Sequence, residues 1–253
     1  MIYNKSWSEL QTMDRCNAIV LEILSRLKEK VAPGVTTADL DQMADEWTYE
    51  AGALPAFKGY RGYPATLCTS INEVIVHGIP ADRELEEGDI VGLDMGVIVD
   101  GYYGDSAITV PVGQVTPEAR RLLEVTEKSL ALGIEKAAIG NRISDIGHAV
   151  WSLVSQYGYA VPRDFTGHGI GRALHEDPQV PNYGDPGRGP RITEGMVLAI
   201  EPMVIAGGVS DVVIADDQWT ASTADGSLAA HFERSVAVTP KGPWILGEKA
   251  PPL

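Results

Sequence analysis

The stretch "IVGLDMGVIVDGYYGDSAITV", residues 90–110, holds two β-prone runs joined at Asp100-Gly101. Asp-Gly suits a two-residue type I′ hairpin turn, because both central residues of that turn need positive φ. With that turn Val99 faces Tyr102, and the register pairs Asp94 with Ala107. Asp105 then lies two residues before Ala107, on the same sheet face as Asp94. Diagonal neighbours of this kind are about 7–8 Å apart, within reach of one ion cluster. The hairpin therefore predicts an antiparallel sheet with two carboxylates on one face of otherwise apolar strands.

Working outward, the anomaly recurs. "GMVLAIEPMVI" (195–205) carries Glu201 in an apolar strand, and "AAHFERSVAV" (229–238) carries Glu233. Sliding the chain on itself by 106 residues sets Gly34, Asp39, Leu40 and Gly52 against Gly140, Asp145, Ile146 and Gly158. A shift of 107 sets "EGDIVGLD" (87–94) against "EGMVLAIE" (194–201), so Asp94 and Glu201 become equivalent. Identities in constant order at a near-constant offset point to an internal repeat, about 6–110 and 116–240. Helical spacing of apolar residues over 6–30, a second helix from Thr37 to the stop at Gly52, a third opened by Thr116-Pro117 and a fourth capped by Ser144 give each half the order helix, helix, strands. No linker divides the halves, so residues 1–253 read as a single domain. "NYGDPGRGPRITEG" (182–195) reads as a surface loop and "GPWILGEKAPPL" (242–253) as a tail.

An isolated ionised carboxylate in an apolar strand costs several kcal/mol at least, so four of them require a compensating charge. Arg234 is the obvious neighbour, and strand alternation turns it to the opposite face. A divalent ion, or two, is the economical compensation, with a nitrogen ligand drawn from the histidines of "DFTGHGIGRALHEDP" (164–178). The "GHGIG" in that run is no phosphate loop. Pro162 and Asp164 precede it, and it lacks the sixth-position glycine and the strand-to-helix context. Its glycines instead let backbone crowd a site in which His168 binds metal and His175 lies nearby without coordinating.

Composition narrows the function classes. The chain has 253 residues, 44% hydrophobic and 22% charged, as expected of a globular protein. A formal net charge of -15 repels polyanions, which argues against a nucleic-acid partner. No apolar run approaches the roughly 18 residues of a membrane span, and no signal peptide opens the chain, so a cytoplasmic protein is expected. Cys16 and Cys68 lie in unrelated contexts and read as free thiols, Cys68 beside a pocket.

The runs "GYRGYP", "SINEVIVHGIP", "LDMGVIVDGYYGDSA", "GHGIGRALHEDP", "AIEPM" and "AHFERSVAVT" together resemble the methionine aminopeptidases of type I, in their short bacterial form, over essentially the whole chain. The resemblance implies the pita-bread α/β (α+β) fold: two pseudo-twofold related halves with a curved antiparallel sheet flanked by helices. It implies a cofactor of two divalent metal ions (Co, Mn, Fe or Zn) held by Asp94, Asp105, His168, Glu201 and Glu233, with Asp105 and Glu233 bridging. It further implies removal of the N-terminal initiator methionine from nascent proteins with a small second residue, by attack of a metal-bridging hydroxide on the first peptide bond. Glu201 would also shuttle the proton, and His77 and His175 would hydrogen-bond substrate and transition state. The methionine pocket maps to Phe57, Tyr60, Tyr63, Cys68, Leu174 and Trp219. His148 is expected to be unrelated to the site and His231 to support it.

Nascent polypeptides with N-terminal Met are the expected partners, with transient ribosome contact, no nucleic acid, no membrane, and a monomeric enzyme. Three positions depart from the family's usual residues: Leu174 replaces a larger aromatic or methionine, and Arg61 and Arg234 each replace a histidine. Two other readings compete. Relatives of the aminopeptidase P and prolidase type cleave before proline, but usually carry an extra N-terminal domain. A metal-free binding module on the same fold would lose ligands and gain basic surface, whereas this chain keeps the ligands and is acidic.

Overall fold

The computed structural model describes residues 1–249. Helices α1 (Trp7–Lys30) and α2 (Thr37–Glu50) open the chain, followed by strands β1 (Leu54–Pro55), β2 (Leu67–Ile71), β3 (Val74–Val76), β4 (Ile90–Val99) and β5 (Tyr102–Pro111). Helices α3 (Pro117–Lys136) and α4 (Ile143–Val154) then precede β6 (Gly167–Gly169), β7 (Glu176–Val180), β8 (Val197–Ile200) and β9 (Met203–Ile205). The chain closes through β10 (Val212–Ile214), β11 (Ala221–Thr223), β12 (Ala229–His231), β13 (Glu233–Thr239) and β14 (Gly242–Ile245).

Local chemistry sets the helix starts. Thr36 accepts from the Asp39 amide at 3.0 Å while Asp39 accepts from the Thr36 amide, a capping box. Thr116 accepts from Ala119 at 3.2 Å with Pro117 in the first turn of α3. The cap of α4 differs from the sequence reading, because the N-cap residue is Arg142. Asp145 accepts from the Arg142 amide at 2.7 Å, and the Ser144 hydroxyl is engaged by the Arg188 amide of the 182–195 loop.

The strands form a nine-stranded sheet in the order β1-β4-β5-β13-β8-β6-β7, with β2 on β4 and β14 on β13, every pair antiparallel. The hairpin register is the expected one, Asp94 opposite Ala107, and both turn residues have positive φ, 52° at Asp100 and 77° at Gly101. Strand β5 also pairs with β13, which sets Glu233 opposite Ala107 from the other side. Arg234 then faces Ile200, and Ala199 faces His168. Neighbouring central strands thus deliver the candidate ligands side by side.

Three strand readings are corrected. Glu201 is not inside a strand: β8 ends at Ile200 and β9 begins at Met203, because Pro202 has no amide hydrogen to continue the ladder. The 229–238 run is likewise split at Phe232 into β12 and β13. The expected tail begins instead with β14, which pairs with β13 and buries Trp244 against Trp7, ring centroids 5.5 Å apart. Residues 250–253 of that tail lie outside the described residues.

One core cluster joins α1 and α2 to β2, β4 and the buried side of the first hairpin, and a second joins α3 and α4 to β8 and β13. Helix α1 lies so close to β5 that a Cβ on Gly104 would stand 2.8 Å from Cys16 Cβ and 2.9 Å from the Asn17 amide nitrogen. Gly104→Ala is therefore expected to overpack this contact and cost about 1–3 kcal/mol. A urea unfolding midpoint equal to that of the parent would show that α1 can shift freely.

Candidate active site

A cavity of about 180 Å³ opens on the central strands. Its lining contains Asp94, Asp105, His168, Glu201 and Glu233, the histidines His77 and His175, and the pocket residues Phe57, Tyr60, Tyr63, Cys68, Leu174 and Trp219, together with Arg61. The expected ligands, the two expected catalytic histidines and the expected pocket residues are thus brought to one place. His148, by contrast, sits exposed on α4 near the Gly184 carbonyl.

Ligand atoms of Asp105, His168 and Glu233 all lie within 4.8 Å of one another. Asp105 is 4% exposed and Glu233 2%, so neither carboxylate can shed its charge into bulk water. Enclosed oxygens of Asp94, Asp105 and Glu233 find no hydrogen-bond donor among the described residues. Burial drives the carboxyl pKa values up, to about 7 at Asp94 and about 8 at Glu201. At Asp105 and Glu233, burial and the neighbouring carboxylates push them well above the usual range. Buried orphan oxygens of this kind fit a bound cation.

The nitrogen side agrees. The His168 Nδ1 lies 2.9 Å from the Gly169 carbonyl, so Nδ1–H donates and Nε2 keeps its lone pair. That Nε2 faces Glu201 Oε1 at 3.5 Å. A lone pair set against a carboxylate oxygen repels unless a positive centre lies between them. Burial lowers the His168 pKa to about 3, which keeps the ring neutral and available as a ligand. Crowded glycines make the approach possible: a Cβ on Gly167 would meet the Ala199 carbonyl oxygen at 2.4 Å, and one on Gly169 the Asp177 carbonyl oxygen at 2.2 Å.

The other two histidines flank this cluster. The Tyr60 hydroxyl lies 2.9 Å from His175 Nδ1, so that with the hydroxyl as donor Nε2–H is the free donor of the ring, and the His175 and His168 rings are 4.2 Å apart. His77 adopts a positive φ of 61°, uncommon for a residue with a side chain, and its ring lies between Phe165 and Trp219. Burial lowers its pKa to about 4. Both imidazoles have pKa values depressed chiefly by burial, with Arg61 adding to the effect at His175.

The apolar wall is rigid. Tyr63 donates to the carbonyls of Leu67 (3.1 Å) and Gly78 (3.0 Å), and Trp219 packs edge-on against its ring at 5.1 Å. Leu174 is 3% exposed, and the buried Cys68 thiol is held protonated by desolvation.

Two residues carry more than the sequence reading assigned them. His231 is buried, and its Nε2 stands 3.4 Å from Glu201 Oε2. Its backbone is held by Thr109, which accepts from the His231 amide at 2.9 Å and donates to the His231 carbonyl at 2.8 Å. The signal was its place two residues before Glu233. Arg61, at φ 48°, brings the one Lys or Arg among the described lining residues to the mouth.

Comparison with known proteins agrees with the geometry. The model of metallopeptidase family M24 matches residues 11–240. A protein of Clostridium acetobutylicum named methionine aminopeptidase is 51% identical over 97% of this chain and 98% of its own length. The crystal structure of methionine aminopeptidase from Rickettsia prowazekii superposes with a TM-score of 0.96 at 39% identity, covering 98% of this chain and 100% of that one. The prolidase from Pyrococcus furiosus, at 21% identity and a TM-score of 0.79, covers 98% of this chain and 66% of its own, and shares the fold. The mixed α/β architecture with its curled antiparallel sheet is the pita-bread fold.

The raised carboxyl pKa values fix a pH dependence. In the metal-free fold they lie above those of the unfolded chain, so their ionisation disfavours folding. Stability falls as pH rises from the unfolded carboxylate range, about 4, through the value of about 8 at Glu201, and stays reduced above it. Chelator-stripped protein is expected to melt at a lower temperature at about pH 8.5 than at about pH 6, and Mn(II) should raise the melting temperature more at the higher pH. An equal Mn(II) effect at both would mean that these carboxyls are ionised throughout.

Proposed function

Because the chain belongs to metallopeptidase family M24, and within it to the methionine aminopeptidases, we propose that this cavity removes the initiator methionine from nascent proteins whose second residue is small. The observation that carries the reading is the convergence of four carboxylates and a tautomer-fixed imidazole beside an apolar, aromatic-walled pocket.

Asp94, Asp105, His168, Glu201 and Glu233 would hold two divalent ions. Hard carboxylates with one imidazole suit Mn, Fe, Co and Zn alike. When bound, such ions polarise a carbonyl and make water acidic near neutral pH. The chain's own groups supply the rest. Phe57, Tyr60, Tyr63, Cys68, Leu174 and Trp219 bury the thioether side chain, for which apolar and aromatic walls are suited. A neutral His175, its Nδ1 occupied by Tyr60, offers Nε2–H to the scissile carbonyl, and neutral His77 hydrogen-bonds the peptide beyond it. Glu201 takes a proton at its carboxylate and returns it to the leaving amine.

All these groups come from one chain, which supports a monomer as the working unit. Residues 1–253 act as a single catalytic domain with an internal repeat, a reading supported by the matching order of helix pair and ligand-bearing strands. Among the described residues no helix is long and apolar enough to cross a membrane, and the net charge of -15 favours brief contact with the ribosome and no stable nucleic-acid partner. A cytoplasmic setting follows from the substrate.

Metal-stripped protein given Mn, Fe, Co or Zn is expected to release free methionine from Met-Ala-Ser and far more slowly from Met-Leu-Ser. Glu201→Gln should lower kcat by about 10²- to 10⁴-fold. Absence of release with every one of these metals would overturn the assignment.

A further inference from the structure

The segment before α1 packs against residues 171–176 and 193–195. Its backbone is tied to the strand side by Lys5 N–H donating to the Gly195 carbonyl at 2.6 Å, and Asn4 donates to Thr193 at 3.1 Å. Its Lys5 side chain then turns inward and meets Glu176 Oε2 at 2.5 Å, with Nζ also donating to the Tyr3 carbonyl at 3.1 Å. The two side chains are 6% and 10% exposed, so this is an enclosed ion pair and not a solvated surface one.

Glu176 opens β7 and sits opposite Gly169, the residue after His168. Its second oxygen, Oε1, accepts from the Arg172 amide at 2.8 Å and the Ala173 amide at 3.3 Å. Residues 170–175, the connection that carries Leu174 and His175, are thereby closed into a loop by one carboxylate. Close approach fixes the sequence at its base. A Cβ on Gly171 would stand 2.5 Å from Lys5 Cε and 2.7 Å from Glu176 Oε1, and one on Gly195 would stand 2.6 Å from the Lys5 carbonyl oxygen. The Gly171 carbonyl is in turn held by the Tyr103 amide at 2.9 Å.

We propose that the enclosed Lys5–Glu176 pair is a positioning device: it orients the Glu176 carboxylate that closes the 170–175 loop, and so places His175 over a reacting centre that Lys5 does not touch. The inference rests on the catalytic role proposed for His175. Without the ammonium group, the enclosed Glu176 would keep only the two amides to offset its charge. It would turn towards solvent and release the two amides. His175 would keep Tyr60 as a neighbour but lose the fixed loop beneath it, and a displacement of about 1 Å at such a group costs up to about a hundredfold in rate.

The test uses Mn(II)-loaded full-length protein. Steady-state kinetics on Met-Ala-Ser would be measured for Lys5→Met, Lys5→Arg and His175→Ala, with Mn(II) binding isotherms and amide hydrogen exchange for each. Lys5→Met is expected to lower kcat roughly tenfold with Mn(II) affinity unchanged, and to speed exchange at Arg172 and Ala173. Lys5→Arg should recover most of both. Wild-type kcat in Lys5→Met, or a loss of kcat while both amides stay protected, would overturn the proposal. Full activity in His175→Ala would remove the role of His175 itself, whatever Lys5 does.

Discussion

When ionised, Asp105 and Glu233 bring like charges within 4.8 Å of each other at buried positions, and much of the molecule around them reads as an answer to that repulsion. At an effective dielectric of about 20, two such charges repel by about 3.5 kcal/mol. Asp94 and Glu201 add to it, and among the described residues no ammonium or guanidinium lies inside the cluster. Arg234 spends its hydrogen bonds on the carbonyls of Glu233 and Ala107, and Arg61 stays at the mouth. A fold that keeps these groups together is a fold that expects positive charge from outside.

The sheet shows how this frustrated arrangement is held. Asp94 and Glu233 flank Ala107 because β5 pairs with both β4 and β13, and His168 joins them through β8. Ladder hydrogen bonds on both sides of each central strand resist the splaying that repulsion alone would cause. Two separate apolar clusters, one under each helix pair, support the sheet. Stability lost at the centre is offset by the core around it, as is common where a binding site is built in advance of its ligand.

Much of this was legible in the sequence where local chemistry decides structure. Asp100-Gly101 permits one tight turn, and that turn alone fixes the register that sets Asp94 beside Asp105. The starts of α2 at Thr37 and α3 at Pro117 followed from apolar spacing and from Thr116-Pro117. Reading failed where distant contacts compete with local preference. Ser144 looked like a cap until the 182–195 loop claimed its hydroxyl. The C-terminal run looked like a tail because its partners, β13 and Trp7, are far away in sequence. Glu201 was expected in mid-strand, although Pro202 stood next to it as a warning. His231 was visible as a neighbour of Glu233, but its distance to Glu201 depends on Thr109, which no spacing rule could supply.

The proposed occupancy of the carboxylate cluster by two ions can be tested directly. The direct measurement is anomalous scattering from a crystal grown with Mn(II), with data collected at the manganese edge. Two peaks within the cavity, each contacted by carboxylate oxygens from Asp94, Asp105, Glu201 or Glu233 and one also by His168 Nε2, are the expected result. A cavity without an anomalous peak at saturating Mn(II), in crystals that preserve the five side chains, would contradict it.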